Sequence, residues 1–252
     1  MSRSQRSAGS LRAGRRRFHE LLVAPGGEGS DARSEIVQLA KDLGVPTRDA
    51  DRDELDALTG GANHQGVCLL AGPYPYVAAA DIPTDGVVLV LDSLQDPQNL
   101  GTLLRTAEAV GAGGVILPEH RAAGVTPAVV NASSGAVEHL RIAQVGNLAR
   151  AIEGLKRAGL WVAGLENVAG AVSLWEAPLD GPLALVVGSE GRGMRRLVLE
   201  KCDFVVSLPQ VGKVESLNAA VAGSIALYEI MRRRVAAAPA AESEPELAPD
   251  GE

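Results

Sequence analysis

Five continuous apolar runs mark the second half of the chain, at 86–91, 114–117, 160–164, 183–187 and 204–208. A strand with no polar alternation is buried on both faces, the pattern of a parallel sheet covered by helices. Between the runs, apolar positions recur at helical spacing. They predict helices over 99–110, 127–137, 148–158 and 194–201, and a long last helix from 216 to about 234. Alternating strands and helices predict a doubly wound α/β domain over 86–235. In such sheets ligands bind beyond the carboxyl ends of the strands, which here means the loops 92–99, 188–193 and 209–216.

A smaller unit precedes it. Leu21-Leu22-Val23 is a short strand, and 34–43 is a helix ended by Gly44. An extended stretch at 45–48, a short helix at 53–58 stopped by Gly60-Gly61, and a strand at 64–71 follow. This order makes a small α/β unit over 18–72. Pro73 and Pro75 disfavour a regular element, so 73–85 reads as a linker. Residues 1–17 hold Arg3, Arg6, Arg12, Arg15, Arg16 and Arg17 and no acid; residues 236–252 are mostly Ala, Pro and Glu, without periodicity. Both ends read as disordered, one basic and one acidic.

Composition changes this picture little. The chain has 252 residues, 46% of them hydrophobic, enough for a sizeable core. Net charge is −7, but Glu242, Glu244, Glu246, Asp250 and Glu252 of the tail supply five of the negative charges. The near-neutral remainder neither demands nor excludes RNA, because local patches set phosphate affinity. Cys68 and Cys202 lie far apart with no Cys/His cluster, so no zinc site or disulfide framework is expected. They read as two buried thiols of a reducing cytoplasm. No apolar run reaches membrane-span length, and no apolar segment follows the first arginines as in a signal peptide. The expectation is a cytoplasmic protein with no membrane and no metal.

Candidate chemistry sits in the three loops. The first, from Asp92 to Gly101, runs into a helix whose stripe Leu100, Leu103, Leu104, Ala107 and Val110 leaves Arg105 outside it. Asp96 or Asn99 could cap that helix, and by itself this is a capped helix with a solvated arginine. The second, Gly188-Ser189-Glu190-Gly191-Arg192-Gly193, suits a tight turn or close ligand approach. Its glycine spacing is not that of a dinucleotide fingerprint, and no phosphate-loop motif is present. Gly111 to Gly114 follows a helix and reads as a cap and turn. The third, Leu208 to Asn218, leads into a helix start, whose N–H groups are free to meet a ligand.

Together the loops resemble the three motifs of the SpoU branch of the SPOUT methyltransferases. Asn99, Gly101 and Arg105 match the first motif, Gly188, Glu190 and Gly193 the second, and Ser216, Leu217 and Asn218 the third. Leu58-Thr59-Gly60-Gly61 and His64-Gln65-Gly66-Val67 resemble the end of the RNA substrate-binding domain found before SpoU domains. One departure is the stretch from Ala8 to Gly14, where relatives carry a first strand and helix; here the strand reads as eroded.

The resemblance implies a deep trefoil knot, a bound S-adenosylmethionine, and a homodimer that completes the site. It implies transfer of a methyl group to a ribose 2′-hydroxyl, with a guanosine of 23S ribosomal RNA as the nearest match. It also implies residue roles. Gly188, Leu208 and Leu217, with Val187 and Gly193 beside them, would contact the cofactor. Arg105 would be the activating residue, with Asn99, Glu190, Ser216 and Asn218 orienting it, the cofactor and the ribose. Arg12, Arg15, Arg16, Arg17 and His64 are the expected RNA contacts. The rival readings are a transfer-RNA substrate and a non-catalytic RNA-binding assembly factor on the same scaffold. Antibiotic-resistance methyltransferases share the two-domain plan.

Overall fold

The computed structural model describes residues 3–25, 31–61, 63–213 and 216–237; the expected acidic tail from 238 onward lies outside the described residues. Within the chain, charge concealed a helix at the amino terminus. Residues Arg3–Ala13 form α1, and Ala8 and Leu11 bury their side chains with Leu21, Ile36, Ala40 and Val67. The expected disordered arm over 1–17 is therefore corrected. Ala8 and Leu11 are three positions apart, so both fall on one helical face, and the surrounding arginines masked it.

α1 packs on α2 (Asp31–Asp42), and both cover a three-stranded sheet. Strand β1 (Phe18–Val23) is central, parallel to β2 (Thr47–Asp49) and antiparallel to β3 (Val67–Ala71). Helix α3 (Arg52–Thr59) is capped by Asp51, whose side chain accepts from Glu54 N at 2.8 Å, and ends at Gly60 with φ 62°. The expected linker is not loose. Tyr74 and Ile82 are buried, Ala79–Asp81 form a short 3-10 turn, and Val77 bridges Ala143.

The apolar runs form a seven-stranded, wholly parallel sheet. Its strands are β4 (Val87–Leu91), β5 (Gly114–Pro118), β6 (Ile142–Val145), β7 (Trp161–Leu165), β8 (Val172–Ser173), β9 (Leu183–Val187) and β10 (Phe204–Ser207). They lie in the order β6-β5-β4-β9-β7-β10-β8. The strands absent from the sequence reading, β6 and β8, are the two edges. β6 is interrupted by Gln144 and β8 has two residues, so neither carries a continuous run.

Helices cover both faces: α4 (Pro97–Ala109), α5 (Pro127–Ala132) and α8 (Ala219–Ala237) on one side, α6 (Leu148–Arg157) and α7 (Arg196–Leu199) on the other. Two expected helices are shorter. The one over 127–137 stops at Ser133, because Ser134 and Gly135 take φ of 54° and 84° before a 3-10 turn at Ala136–His139. The one over 194–201 shrinks to α7, its start taken up by the loop that Asp92 holds.

The two units are clamped together. Glu138 is 1% exposed, and its carboxylate accepts from Arg16 Nε at 2.9 Å and Ser10 Oγ at 3.3 Å. Arg15 donates to the Leu140 carbonyl, and the guanidinium groups of Arg15 and Arg16 lie 5.8 and 5.1 Å from the Tyr74 ring centroid. Burial pushes the Tyr74 hydroxyl up to about 12, and it donates to Leu140 O at 2.6 Å.

Candidate active site

All three loops lie at the carboxyl edge of the sheet, and a buried acid joins two of them. Asp92 follows β4 and is fully buried. Its two oxygens accept from Arg195 N and Arg195 Nε, each at 2.7 Å, and from Ser93 Oγ at 2.9 Å. This is a bidentate, charge-assisted anchor between the first loop and the turn at 188–195. Sequence reasoning placed Asp92 in the loop but gave it no role. Its signal was an acid directly after a fully apolar strand.

The turn itself is closed by mutual hydrogen bonds between Ser189 and Gly193, with N···O distances of 3.1 and 3.0 Å. Gly193 has φ 64°, and a Cβ on Gly188 would lie 2.5 Å from Met194 N. Only glycine fits both places, so the motif glycines shape the turn before any ligand is considered. Glu166, after β7, accepts from Met194 N at 3.2 Å and braces the turn from behind.

Asn218 gathers the loops. Its side-chain amide donates to Asn99 Oδ1 at 3.0 Å and to the Glu190 carboxylate. Its own Oδ1 accepts from Ala220 N and Val221 N at 2.9 and 3.1 Å, which caps α8 and sets its start three residues beyond the expected 216. Asn99 is held in the first turn of α4, whose cap is Asp96, accepting from Gln98 N at 3.0 Å.

Arg105 does not join this group. From Asn99 it is six positions along α4, which is roughly 9 Å up the axis and on another face. It is exposed, and its guanidinium donates to Ser134 Oγ at 3.3 Å. Within one chain Arg105 lines neither of the clefts that hold Glu190 and Asn218. Gly101 explains the arrangement. A Cβ there would lie 2.8 Å from Ser133 N, so glycine lets α5 approach α4 and brings Ser134 to Arg105.

Two clefts flank the 188–193 turn. One, of about 550 Å³, is lined by all five residues expected at the cofactor, Val187, Gly188, Gly193, Leu208 and Leu217, and by Ser216 and Asn218. The other, of about 730 Å³, is lined by Asn99, Arg121, Arg192 and Arg195 among others, and shares Ser189, Glu190 and Gly193 with the first. The first is large enough for a nucleoside-sized cofactor, and its glycine-shaped backbone suits recognition through main-chain groups. Among the described residues no cluster of His, Cys, Asp or Glu could hold a metal ion, and no helix is long and apolar enough to cross a membrane.

The expected RNA contacts are placed differently from a free arm. Arg12 pairs with Glu35, and Arg15 and Arg16 are turned inward to the Glu138 clamp. His64 is buried, its Nδ1 accepting from Gly66 N at 3.0 Å and its Nε2 3.4 Å from Asp56. Arg17 is exposed. The thiol of Cys202 is pushed up to about 12 by burial, so it is unreactive near neutrality.

A parallel α/β sheet whose carboxyl edge carries two clefts sharing one glycine-shaped turn is the architecture of a protein that can hold two ligands side by side. Comparison with known proteins narrows that class. Residues 86–228 match the SpoU rRNA Methylase family, and residues 9–77 match the RNA 2′-O ribose methyltransferase substrate-binding family. The chain belongs to the SpoU rRNA methylase family. It is 43% identical over 228 residues to YacO of Bacillus subtilis, named as a TrmH family tRNA/rRNA methyltransferase, covering 87% of this chain and 90% of that one. Among solved structures, an AdoMet-bound rRNA methyltransferase from Sinorhizobium meliloti superimposes with a TM-score of 0.78 at 25% identity, covering 90% of this chain and 84% of that one. The SpoU methyltransferase AviRb of Streptomyces viridochromogenes shares the fold, with a TM-score of 0.78 at 24% identity over 92% and 89% of the two chains.

Proposed function

We propose that this protein transfers the methyl group of S-adenosylmethionine to a ribose 2′-hydroxyl of RNA, with a guanosine of 23S rRNA as its target and the cytoplasm as its place of work. The observation that carries the reading is the meeting of two clefts at Glu190, where Asn218 links Asn99 to the turn. The 550 Å³ cleft takes the cofactor, with Gly188 and Leu208 offering backbone groups and Leu217 covering it. The bound cofactor supplies a methyl group activated by its sulfonium charge. The match of residues 86–228 to a family described as rRNA methylases favours ribosomal over transfer RNA. A trefoil knot belongs to the same reading; its support is the match of residues 86–228 to the SpoU family.

A ribose hydroxyl is a weak nucleophile and must lose its proton near the transition state. Arg105 acts as a fixed cation beside the developing alkoxide rather than as a base, because a guanidinium stays protonated in proteins, and the hydroxyl proton passes to water or an RNA phosphate. Asn99, Glu190, Ser216 and Asn218 hold the ribose in place. Arg105 reaches the reacting centre from a second copy of the chain. Support for a homodimer is the exposed stripe Val221, Ile225, Tyr228 and Val235 along α8, beside the α4 contact between Thr106 Oγ1 and Ser224 Oγ at 2.9 Å. An apolar helix face next to a displaced arginine suits pairing of identical subunits.

Mass-spectrometric mapping of ribose methylation, with and without the gene, tests the reading. One 23S rRNA guanosine loses its 2′-O-methyl group in the deletion strain. Loss from a tRNA position instead moves the substrate to tRNA, and an unchanged map of both RNAs rejects the activity.

A further inference from the structure

The larger cleft shares the Glu190 turn with the cleft proposed for the cofactor. Its walls come from three loops after parallel strands: 93–96 after β4, the loop after β5 that holds Arg121, and the turn 188–195 after β9. The first two are locked together, with Ala123 N donating to Leu94 O at 2.8 Å. They are also held in unusual backbone shapes. Ser93 and Arg121 take φ of 64° and 61°, which side-chain-bearing residues adopt at a cost and which clusters at ligand sites.

Charge gives this cleft its preference. Two carboxylates, Asp96 and Glu190, line it; Asp96 accepts from Gln98 N at the start of α4 and Glu190 from Asn218, so its anion preference rests on the arginines. Arg195 is neutralised by the buried Asp92. Arg121 and Arg192 are exposed, line the cleft, and make no ion pair with any described residue. Two unpaired guanidinium groups in a preformed cavity match the planar, bidentate recognition of a phosphodiester.

Resting on the methyltransfer reading above, we propose that Arg121 and Arg192 grip the RNA phosphates flanking the target ribose, so that this cleft is the target-nucleotide site. The Glu190 turn then separates nucleotide from cofactor, and its two faces present them to each other. Arg121 and Arg192 are positioning residues: they hold the strand and take no part in proton transfer.

The test uses the full chain, Arg121→Gln, Arg192→Gln and the double variant, with Arg150→Gln on α6, outside both clefts, as control. Protein-free 23S rRNA transcript is the probe in filter-binding titrations across a range of KCl, and calorimetry with S-adenosylhomocysteine reads the cofactor cleft. Each single variant weakens RNA binding about tenfold and lowers the slope of log K against log salt by about 0.7–0.9, the share of one phosphate contact. Cofactor affinity stays at the wild-type value, and the control changes neither quantity. Wild-type RNA affinity and salt slope in the double variant would overturn the proposal, as would an equal loss in Arg150→Gln. RNA binding is read without turnover, so a wild-type protein that binds RNA but transfers no methyl group rejects the reaction and leaves the arginine result to stand or fall alone.

Discussion

The side-chain amide of Asn218 donates to the Asn99 carbonyl oxygen across 3.0 Å, joining segments 119 positions apart in the chain. Because the Asn218 oxygen also caps α8, one residue fixes both the end of a helix and the meeting of three loops. Structure and chemistry can be separated there. Neither donor role survives in aspartate, while the capping role does.

Asn218→Asp therefore keeps the melting temperature within a few degrees of wild type. It loses methyl transfer by about 100-fold or more, since a carboxylate cannot donate to Asn99 and repels Glu190. Asn218→Ala loses the cap as well, at about 1 kcal/mol. Thermal melts beside single-turnover assays check both. An active Asn218→Asp enzyme removes this residue from the site.

How much of this was legible in the sequence depended on whether a residue's signal was local. The five buried strands were, because each is a continuous apolar run. The expected cofactor residues came to line one cleft because strand ends fix where loops lie. The location of Arg105 was hidden by helix geometry: motif membership carries no information about which face of α4 a position occupies. The clamp was invisible for another reason, since Glu138 lies 122 positions from Arg16, which read as part of a basic arm, and nothing local singles Glu138 out. α1 was missed because six arginines outweighed Ala8 and Leu11 in a composition that counts residues without regard to face.

The clamp makes its own prediction. Arg16→Gln leaves Glu138 buried without its cation, at a cost of about 3–5 kcal/mol. Adding Glu138→Gln recovers part of that loss. A double-mutant cycle by urea unfolding measures the coupling, and strictly additive effects would deny the pair.

Acid stability should report on α8. Hydrogen bonds from Arg232 and Arg233 hold the Glu229 carboxyl down at about 2, from an ordinary value of 4.5. A depressed carboxylate contributes stability that is complete above its ordinary pKa and is lost as pH falls through its folded pKa. Glu229→Gln is thus less stable than wild type at pH 6, by no more than about 1 kcal/mol because its partner Arg232 is largely exposed and solvent screens the pair. The gap narrows from pH 4.5 and closes near pH 2. Urea titrations of both proteins across this range check the sign; a gap that widens in acid contradicts it.

Arg105→Ala loses methyl transfer by orders of magnitude with little change in S-adenosylhomocysteine affinity, because Arg105 lies outside the cofactor cleft. If it acts across a subunit boundary, mixing Arg105→Ala with Asn218→Asp restores activity in the heterodimers, where one of the two sites is intact. Subunit exchange followed by activity assay reads this. No recovery in verified heterodimers places Arg105 in its own subunit's site.

The central claim is tested most directly by following the methyl group itself. Incubate the purified protein with S-adenosylmethionine carrying a trideuterated methyl group and unmodified 23S rRNA transcript. Digest the RNA to nucleosides and weigh them. The expected product is trideuterated 2′-O-methylguanosine; label on a base, or none in the RNA despite measured cofactor binding, would contradict the account.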